Sequence, residues 1–569
     1  MTDGANFRER LQFNHRKLLI VFVLVFTFSL LFSFYTRQAW EDWYITYRVS
    51  KNLAMGHGPV FTIGERVHAF TSPLGMLIPA FFGYITNNRS DELVLWLFRV
   101  LSCSLLGLSA VVLLKTARAW GMSFLAAAAV AALFAINDKI IAFSINGMET
   151  AFMMFFLTYA VYLLSAPAKG FIVKLGLVFA GLMWTRPDSF VYIGGLTLGW
   201  LLFNPPSPHF RSRAEAAKKF ALVCMVSSVL YLPWILWAGF YYGTPIPHTI
   251  IAKGLFMDGP DLGLIKQLAI FLLPSGMDMS VMQTFTPQCY WLGGWPDLLI
   301  YPGVVLAVIA ARYWWLPFGN PVGRAVSFAL FLAHFYLTRF PASVDRLMPW
   351  YITSVALLSI IVLGLLTQDA VNLIVRLSER GQNRMSRAAG YLLYCCVGIS
   401  IAGSLFLTVA NAYQRRQEQE IIEDGHRKKI GLWLKENAAS TKDRVFIECL
   451  GYVGFYSQLK MLDFPGLSSP EVVEARRRLR TDDYAPLIQD LQPDWLVLRP
   501  GEIADIQGQI PYLLPMNYVP GKVFDATAKL DAAPFEAVRR YLRFHQKFTV
   551  FRRNRDKVSN TEEAAPGLR

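Results

Sequence analysis

Two adjacent carboxylates, Glu41 and Asp42, stand among Trp40, Trp43, Tyr44 and Tyr47, just after a run without an ionisable residue, Leu18 to Thr36. A carboxylate near a bilayer surface loses hydration, which raises its pKa unless a cation pairs with it. That tuning suits a general base taking a proton from a hydroxyl group near neutral pH. The plainer reading is an aromatic belt carrying solvated acids. Arg186, in Thr185-Arg-Pro-Asp188, and Arg346, in Arg346-Leu-Met-Pro349, fall at the ends of apolar runs at headgroup depth. There a guanidinium either donates two hydrogen bonds to a phosphate or snorkels to lipid. Arg48 is placed to hold the acidic pair. Glu149 and Asp188 lie at the same level, where Glu149 also suits a helix cap and Asp188 an ion pair with Arg186. His57, His68 and His248 lack zinc-like spacing and read as loop histidines, with His68 and His248 carried as candidate substrate contacts. A divalent cation on Glu41 or Asp42, Mg²⁺ or Mn²⁺, is the cofactor these oxygen ligands could hold.

The elements that must position these groups are membrane helices. The chain has 569 residues, of which 54% are hydrophobic and only 17% charged, against about 25% charged in soluble domains. Apolar blocks near 20 residues match a hydrocarbon core of about 30 Å. They predict about 11 transmembrane helices, at 17–37, 93–114, 122–137, 150–166, 174–186, 189–203, 220–241, 297–311, 324–339, 349–367 and 389–410. With the N-terminus cytoplasmic, Lys115 and Arg118, Lys169 and Lys174, Arg211 to Lys219, Arg312 and Arg324, and Arg376 to Arg387 all face inside. The net charge of +15 therefore orients the chain, and no nucleic acid is needed to explain it. Residues 70–85, with Pro73 and Pro79, read as a re-entrant or surface-lying helix, because a span there would reverse every later loop. The first apolar run is too long for a signal peptide and lacks a small-residue cleavage site, so it reads as an uncleaved anchor.

This gives an all-α polytopic membrane domain, 1–413, with long outer loops at 38–92 and 242–296. From 414 to 552 the composition is that of a small soluble α/β domain on the outer face, with strands at Arg444–Cys449 and Trp495–Leu498. The polar tail, 553–569, reads as disordered. Six cysteines form no framework, and only Cys289 and Cys449, both outside, could pair.

The stretch from Glu41 to Leu74 resembles the first outer loop of the GT-C glycosyltransferases. It is most similar to the branch that holds the mycobacterial terminal β-(1→2)-arabinofuranosyltransferase. The matching residues, in order, are Glu41-Asp42, Tyr44, Ile45-Thr46, Arg48, Asn52-Leu53, Gly56, Gly58, Gly64-Glu65, Val67 and Thr71-Ser72-Pro73-Leu74. Sparser echoes are Gly147-Met-Glu-Thr150, Tyr242-Gly-Thr-Pro-Ile-Pro247 and Leu450-Gly-Tyr-Val-Gly-Phe-Tyr456 with Asp463-Phe-Pro-Gly-Leu467. Glu41 replaces the usual Asp, which leaves open which carboxylate is the base, and Trp43 and His68 also depart from the pattern.

The resemblance implies sugar transfer from a polyprenyl-phosphate donor, possible substrates including arabinofuranose, to a glycan or glycolipid acceptor at the outer face of a bacterial inner membrane. An acceptor hydroxyl attacks, a carboxylate takes its proton, and Arg186 and Arg346 stabilise the departing phosphate. Two rivals remain. A ligase or polymerase using a lipid-diphosphate donor would not need the acidic pair after the first span. A transporter would place ionisable groups mid-membrane and repeat its halves, whereas only Arg99 and His334 lie deep in predicted spans.

Overall fold

The computed structural model describes residues 15–205, 209–255, 279–339, 348–380 and 382–554. Each of the eleven apolar runs forms a helix, and six helices are individually long and apolar enough to cross a membrane. These are His15–Thr36, Asp91–Ala119, Arg213–Tyr242, Asp297–Trp315, Pro349–Glu379 and Arg384–Asn437. The chain is a multi-pass membrane protein. Other runs form shorter helices, such as Thr150–Ser165 and Phe171–Thr185, which at about 1.5 Å per residue fall short of a 30 Å core.

The first outer loop is mostly helical. Glu41–Ala54 begins four residues after the first membrane helix and places Glu41 and Asp42 in its first turn. Residues 70–85 contain the helix Pro73–Ile85, started by Pro73 and capped by the Ser72 hydroxyl, which accepts from the Gly75 N–H at 2.9 Å. Its thirteen residues are too few to span a bilayer, and Phe81, Tyr84 and Ile85 are exposed.

The last membrane helix does not stop at the bilayer. Asn383–Gln417 runs into a wider-wound turn, Glu418–Arg427, and then into Lys428–Asn437. That continuous rod carries a five-stranded sheet: β1 (Arg444–Ile447), β2 (Lys460–Asp463), β3 (Trp495–Leu498), β4 (Tyr518–Asp525) and β5 (Lys547–Arg553). The order is β2-β1-β3-β5-β4. The first three strands are parallel, with Val445 level with both Met461 and Trp495, and β5 pairs antiparallel with β3 and β4. Four short, almost wholly buried residues per parallel strand fit a sheet covered on both faces.

One apolar core joins the two halves of the chain. Ile45, Val49, Phe61, Phe70 and Trp234 pack with Ile430, Val445, Leu450, Val453 and Trp495. The outer loop and the sheet are thus held by shared burial as well as by the covalent link. The expected tail, 553–569, lies from residue 555 onward outside the described residues, and Arg553 ends β5. Cys289 and Cys449 are both free thiols, which corrects the pairing allowed by the sequence.

Candidate active site

Asp42 opens into a small pocket whose walls come from seven separate segments, Arg186 and Leu467 among them. Thr46 lies one turn on from Asp42. Phe70 to Ser72 come from the start of the short loop helix, and Met148 and Glu149 precede Thr150–Ser165. Thr249 and Lys253 belong to the helix His248–Gly254, and Trp350 and Tyr351 begin Pro349–Glu379. Helix N-termini at Pro73, Thr150 and Pro349 therefore border one space, and their dipoles favour an anion there. The free volume is about 60 Å³, room for only a few waters.

Arg186 forms the floor. Pro187 forces the residue before it into extended backbone, and Arg186 accordingly ends the helix Phe171–Thr185 at φ −154°, ψ 131°. Its Nε and Nη2 donate to the two oxygens of Asp188 at 3.0 and 3.2 Å, and its Nη1 donates to Glu149 Oε1 at 3.1 Å. The Tyr351 ring lies 4.6 Å from the guanidinium carbon. Burial works against this charge, but Asp188, Tyr351 and Glu149 outweigh it and hold the proton on well above the usual range. Arg186 also lines a second, deeper cleft with Tyr192, Thr353 and Ser354, so it stands between the Asp42 pocket and the helix bundle.

Burial lifts the Asp42 carboxyl to about 6; Glu41 and Glu149 add to the rise, while Lys253 and Arg186 oppose it. Glu41 faces elsewhere. Its Oε1 accepts from the Gly451 N–H at 2.5 Å and its Oε2 from Arg427 Nη1 at 3.3 Å. The approach is so close that a Cβ on Gly451 would sit 2.1 Å from the Glu41 carbonyl oxygen. Two neighbours in sequence thus part company: one carboxylate lines the pocket and the other clamps the C-terminal domain. Helical geometry turns successive side chains by about 100°, which separates them.

The remaining candidates divide the same way. Glu149, Asp188 and Arg186 are brought together with Asp42. Arg48 does not hold the acidic pair: it is buried and donates to the carbonyls of Gly454, Gln458 and Leu459 at 2.8 to 3.3 Å. His68 is 2% exposed and stacks on Tyr242 at 4.6 Å, and burial lowers its pKa to about 4. It lies beside the pocket without lining it. His248 starts the helix that supplies Thr249 and Lys253, and its own backbone N–H donates to the His68 carbonyl at 2.9 Å. Arg346 lies outside the described residues. Trp43 is buried and stacked on Tyr47, against Gly147, where any Cβ would meet the indole at 2.6 Å. Gly147 also sits at φ +100°, which glycine adopts without strain. Arg99 reaches the carbonyls of Arg37, Gln38 and Ile145, tying helix ends together.

Residue-by-residue reading missed Lys253, Thr249 and Tyr351. Lys253 makes no ion pair among the described residues and lies in the long loop 242–296. No group of three His, Cys, Asp or Glu suited to a metal occurs among the described residues.

Residues 411–551 match a family described as a domain of unknown function (DUF8728). The chain is similar to terminal β-(1→2)-arabinofuranosyltransferases. It is 27% identical over 239 residues to that of Corynebacterium glutamicum, which is 37% of this chain and 32% of the relative. It is 27% identical over 248 residues to that of Mycobacterium tuberculosis, 41% of this chain and 38% of the relative. The chain thus spans about a third of the length of the curated relatives it matches. Among solved structures, an Archaeoglobus fulgidus oligosaccharyltransferase aligns with a TM-score of 0.53 at 12% identity, covering 88% of this chain and 72% of that one. ArnT from Cupriavidus metallidurans in the apo state aligns at 0.50 and 13% identity, covering 94% and 98%. At these identities the likeness shows that the chain shares the fold of these two proteins.

Proposed function

We propose that this protein is a GT-C glycosyltransferase that moves a sugar from a polyprenyl-phosphate donor to a cell-envelope glycan, with inversion at the anomeric carbon. The observation that carries the reading is the meeting of a carboxylate poised near neutral pH, Asp42, with Arg186 at the mouth of a cleft leading into the helix bundle. The relatives' names favour arabinofuranose as the sugar.

Asp42 is the base. The acceptor oxygen attacks the anomeric carbon and its proton passes to Asp42. The bond from that carbon to the phosphate oxygen breaks, and polyprenyl phosphate leaves with the electron pair. Arg186 and Lys253, aided by the helix N-termini around the pocket, offset the charge that develops on the phosphate. Glu149 and Asp188 hold the Arg186 fork in place and keep it charged. Glu41 and Arg48 position the outer loop on the C-terminal domain.

The site lies at the end of the first membrane helix opposite its N-terminus. The basic inner loops put that N-terminus in the cytoplasm, so the pocket and the domain 414–552 face outward from the inner membrane. Purified protein given a panel of polyprenyl-phosphate sugars should consume one donor and form a glycoside of inverted configuration, read by NMR of the product. Retained configuration, or turnover of lipid-diphosphate sugars alone, would overturn the proposal.

A further inference from the structure

A crevice of about 660 Å³ lies in the C-terminal domain, apart from the Asp42 pocket. Its position follows from the sheet. The chain leaves β1 for β2 on one side and later returns to β3 on the other, so the β1–β3 pair is a topological switch point. In open sheets of this kind the crevice outside the carboxyl ends of the strands is where ligands bind. Glu448, the residue after β1, and Arg499, the residue after β3, both line it.

The lining selects the ligand's chemistry. Five carboxylates face three cations, and Arg499 is already committed. It is 3% exposed, donates to Glu448 and Glu502, and points its Nη2 at the Cys449 sulfur, 3.0 Å away. The turns after β1 and β3, Glu448-Cys-Leu and Arg499-Pro-Gly, are no glycine-rich phosphate cradle, and Pro500 removes an N–H donor from the helix start. A phosphate or nucleotide therefore finds excess negative charge and few free donors. What remains suits a neutral, hydroxyl-rich ligand. The carboxylate oxygens of Asp505 and Asp483 offer hydrogen-bond acceptors, and both residues are exposed. Tyr484 lines one wall, and Phe544, 63% exposed, presents its ring with the Arg499 guanidinium 4.4 Å from its centroid. An exposed aromatic beside carboxylates is the pairing that receives the apolar face and the hydroxyls of a sugar.

The crevice is also linked to the Asp42 helix. Arg427 donates to Glu41, and to Cys449 and His545, which Arg499 touches from the other side. We infer that this crevice binds a neutral oligosaccharide segment of the acceptor, away from the reacting sugar; the inference rests on the reading of the chain as a glycan-extending transferase.

The test is direct binding to the full-length protein in detergent, by calorimetry, using neutral pentasaccharides of arabinan, galactan and mannan, with inorganic phosphate and AMP as competitors. One pentasaccharide should bind saturably, Phe544→Ala and Asp505→Asn should each weaken it by about tenfold, and Asp42→Asn should leave it unchanged. Asp505 is exposed, so that variant reports on the crevice even where Phe544→Ala disturbs folding. No binding by any pentasaccharide, equal binding by wild type and Asp505→Asn, or displacement by phosphate or AMP would overturn the inference. Transfer without crevice binding would sink the crevice alone, whereas crevice binding without transfer would sink the proposed reaction.

Discussion

Replacing Asp42 by Asn should stabilise the protein at alkaline pH while leaving its stability in acid unchanged. Folding carries this carboxyl from its ordinary 3.8 to about 6, chiefly through burial. The folded state therefore holds the proton more tightly than the unfolded chain does. The stability this contributes is whole below pH 3.8 and is lost as pH climbs through 6. Above both values the ionised group costs the folded state about 3 kcal/mol at most. Asp42 is half-buried, and solvent screening lowers that to about 1–3 kcal/mol. Asparagine has the same shape and no charge, so it escapes the cost. Thermal midpoints of both proteins, taken in one detergent at one scan rate, should separate at pH 8 in favour of Asn and converge only below pH 3.8. A gap that does not change with pH, or a less stable Asn variant at pH 8, would refute the assignment of a strained charge at this position.

The same carboxyl sets the pH dependence of the reaction: kcat/KM for transfer should rise with pH to a midpoint near 6 and fall about tenfold per pH unit below it, and a flat profile down to pH 5 would contradict Asp42 as base. Arg186→Lys keeps the charge but loses the fork shared between Asp188 and Glu149. It should lower kcat/KM by about 10- to 100-fold, measured at saturating acceptor and varied donor. Gly451→Ala forces a methyl against the Glu41 backbone and should cost about 1–3 kcal/mol, seen as faster proteolysis between the membrane helices and β1.

Much of this was legible in the chain because membranes impose long apolar runs and loop chemistry leaves short motifs. All eleven runs are helices, and both strands read from the sequence are β1 and β3. How many helices cross was harder to read, since Thr150–Ser165 and its neighbours are too short to be judged by length. The last membrane helix also runs on to Asn437, past the composition change near Gln414, because a helix needs no break where solvent replaces lipid. Within the first-loop motif, composition could not distinguish pocket residues from clamps. Glu41, Arg48 and Glu65 all reach the C-terminal domain, through Gly451, the carbonyls around Gln458, and Lys460 at 2.5 Å. Those partners lie some 400 positions away, and local pattern carries no trace of such pairings. Lys253 and Tyr351 were invisible for the same reason, since seven segments must converge before either has a neighbour to act on.

On the proposed reading the adjacent carboxylates have different tasks, with Asp42 in the chemistry and Glu41 in the architecture. Transfer of sugar from a polyprenyl-phosphate donor, measured side by side for wild type, Asp42→Asn and Glu41→Gln, tests it most directly. Asp42→Asn should lose about 10²- to 10⁴-fold in a folded protein, with Glu41→Gln retaining turnover but unfolding more readily. A Glu41→Gln variant that is folded and inactive, beside an Asp42→Asn variant that works at the wild-type rate, would contradict it.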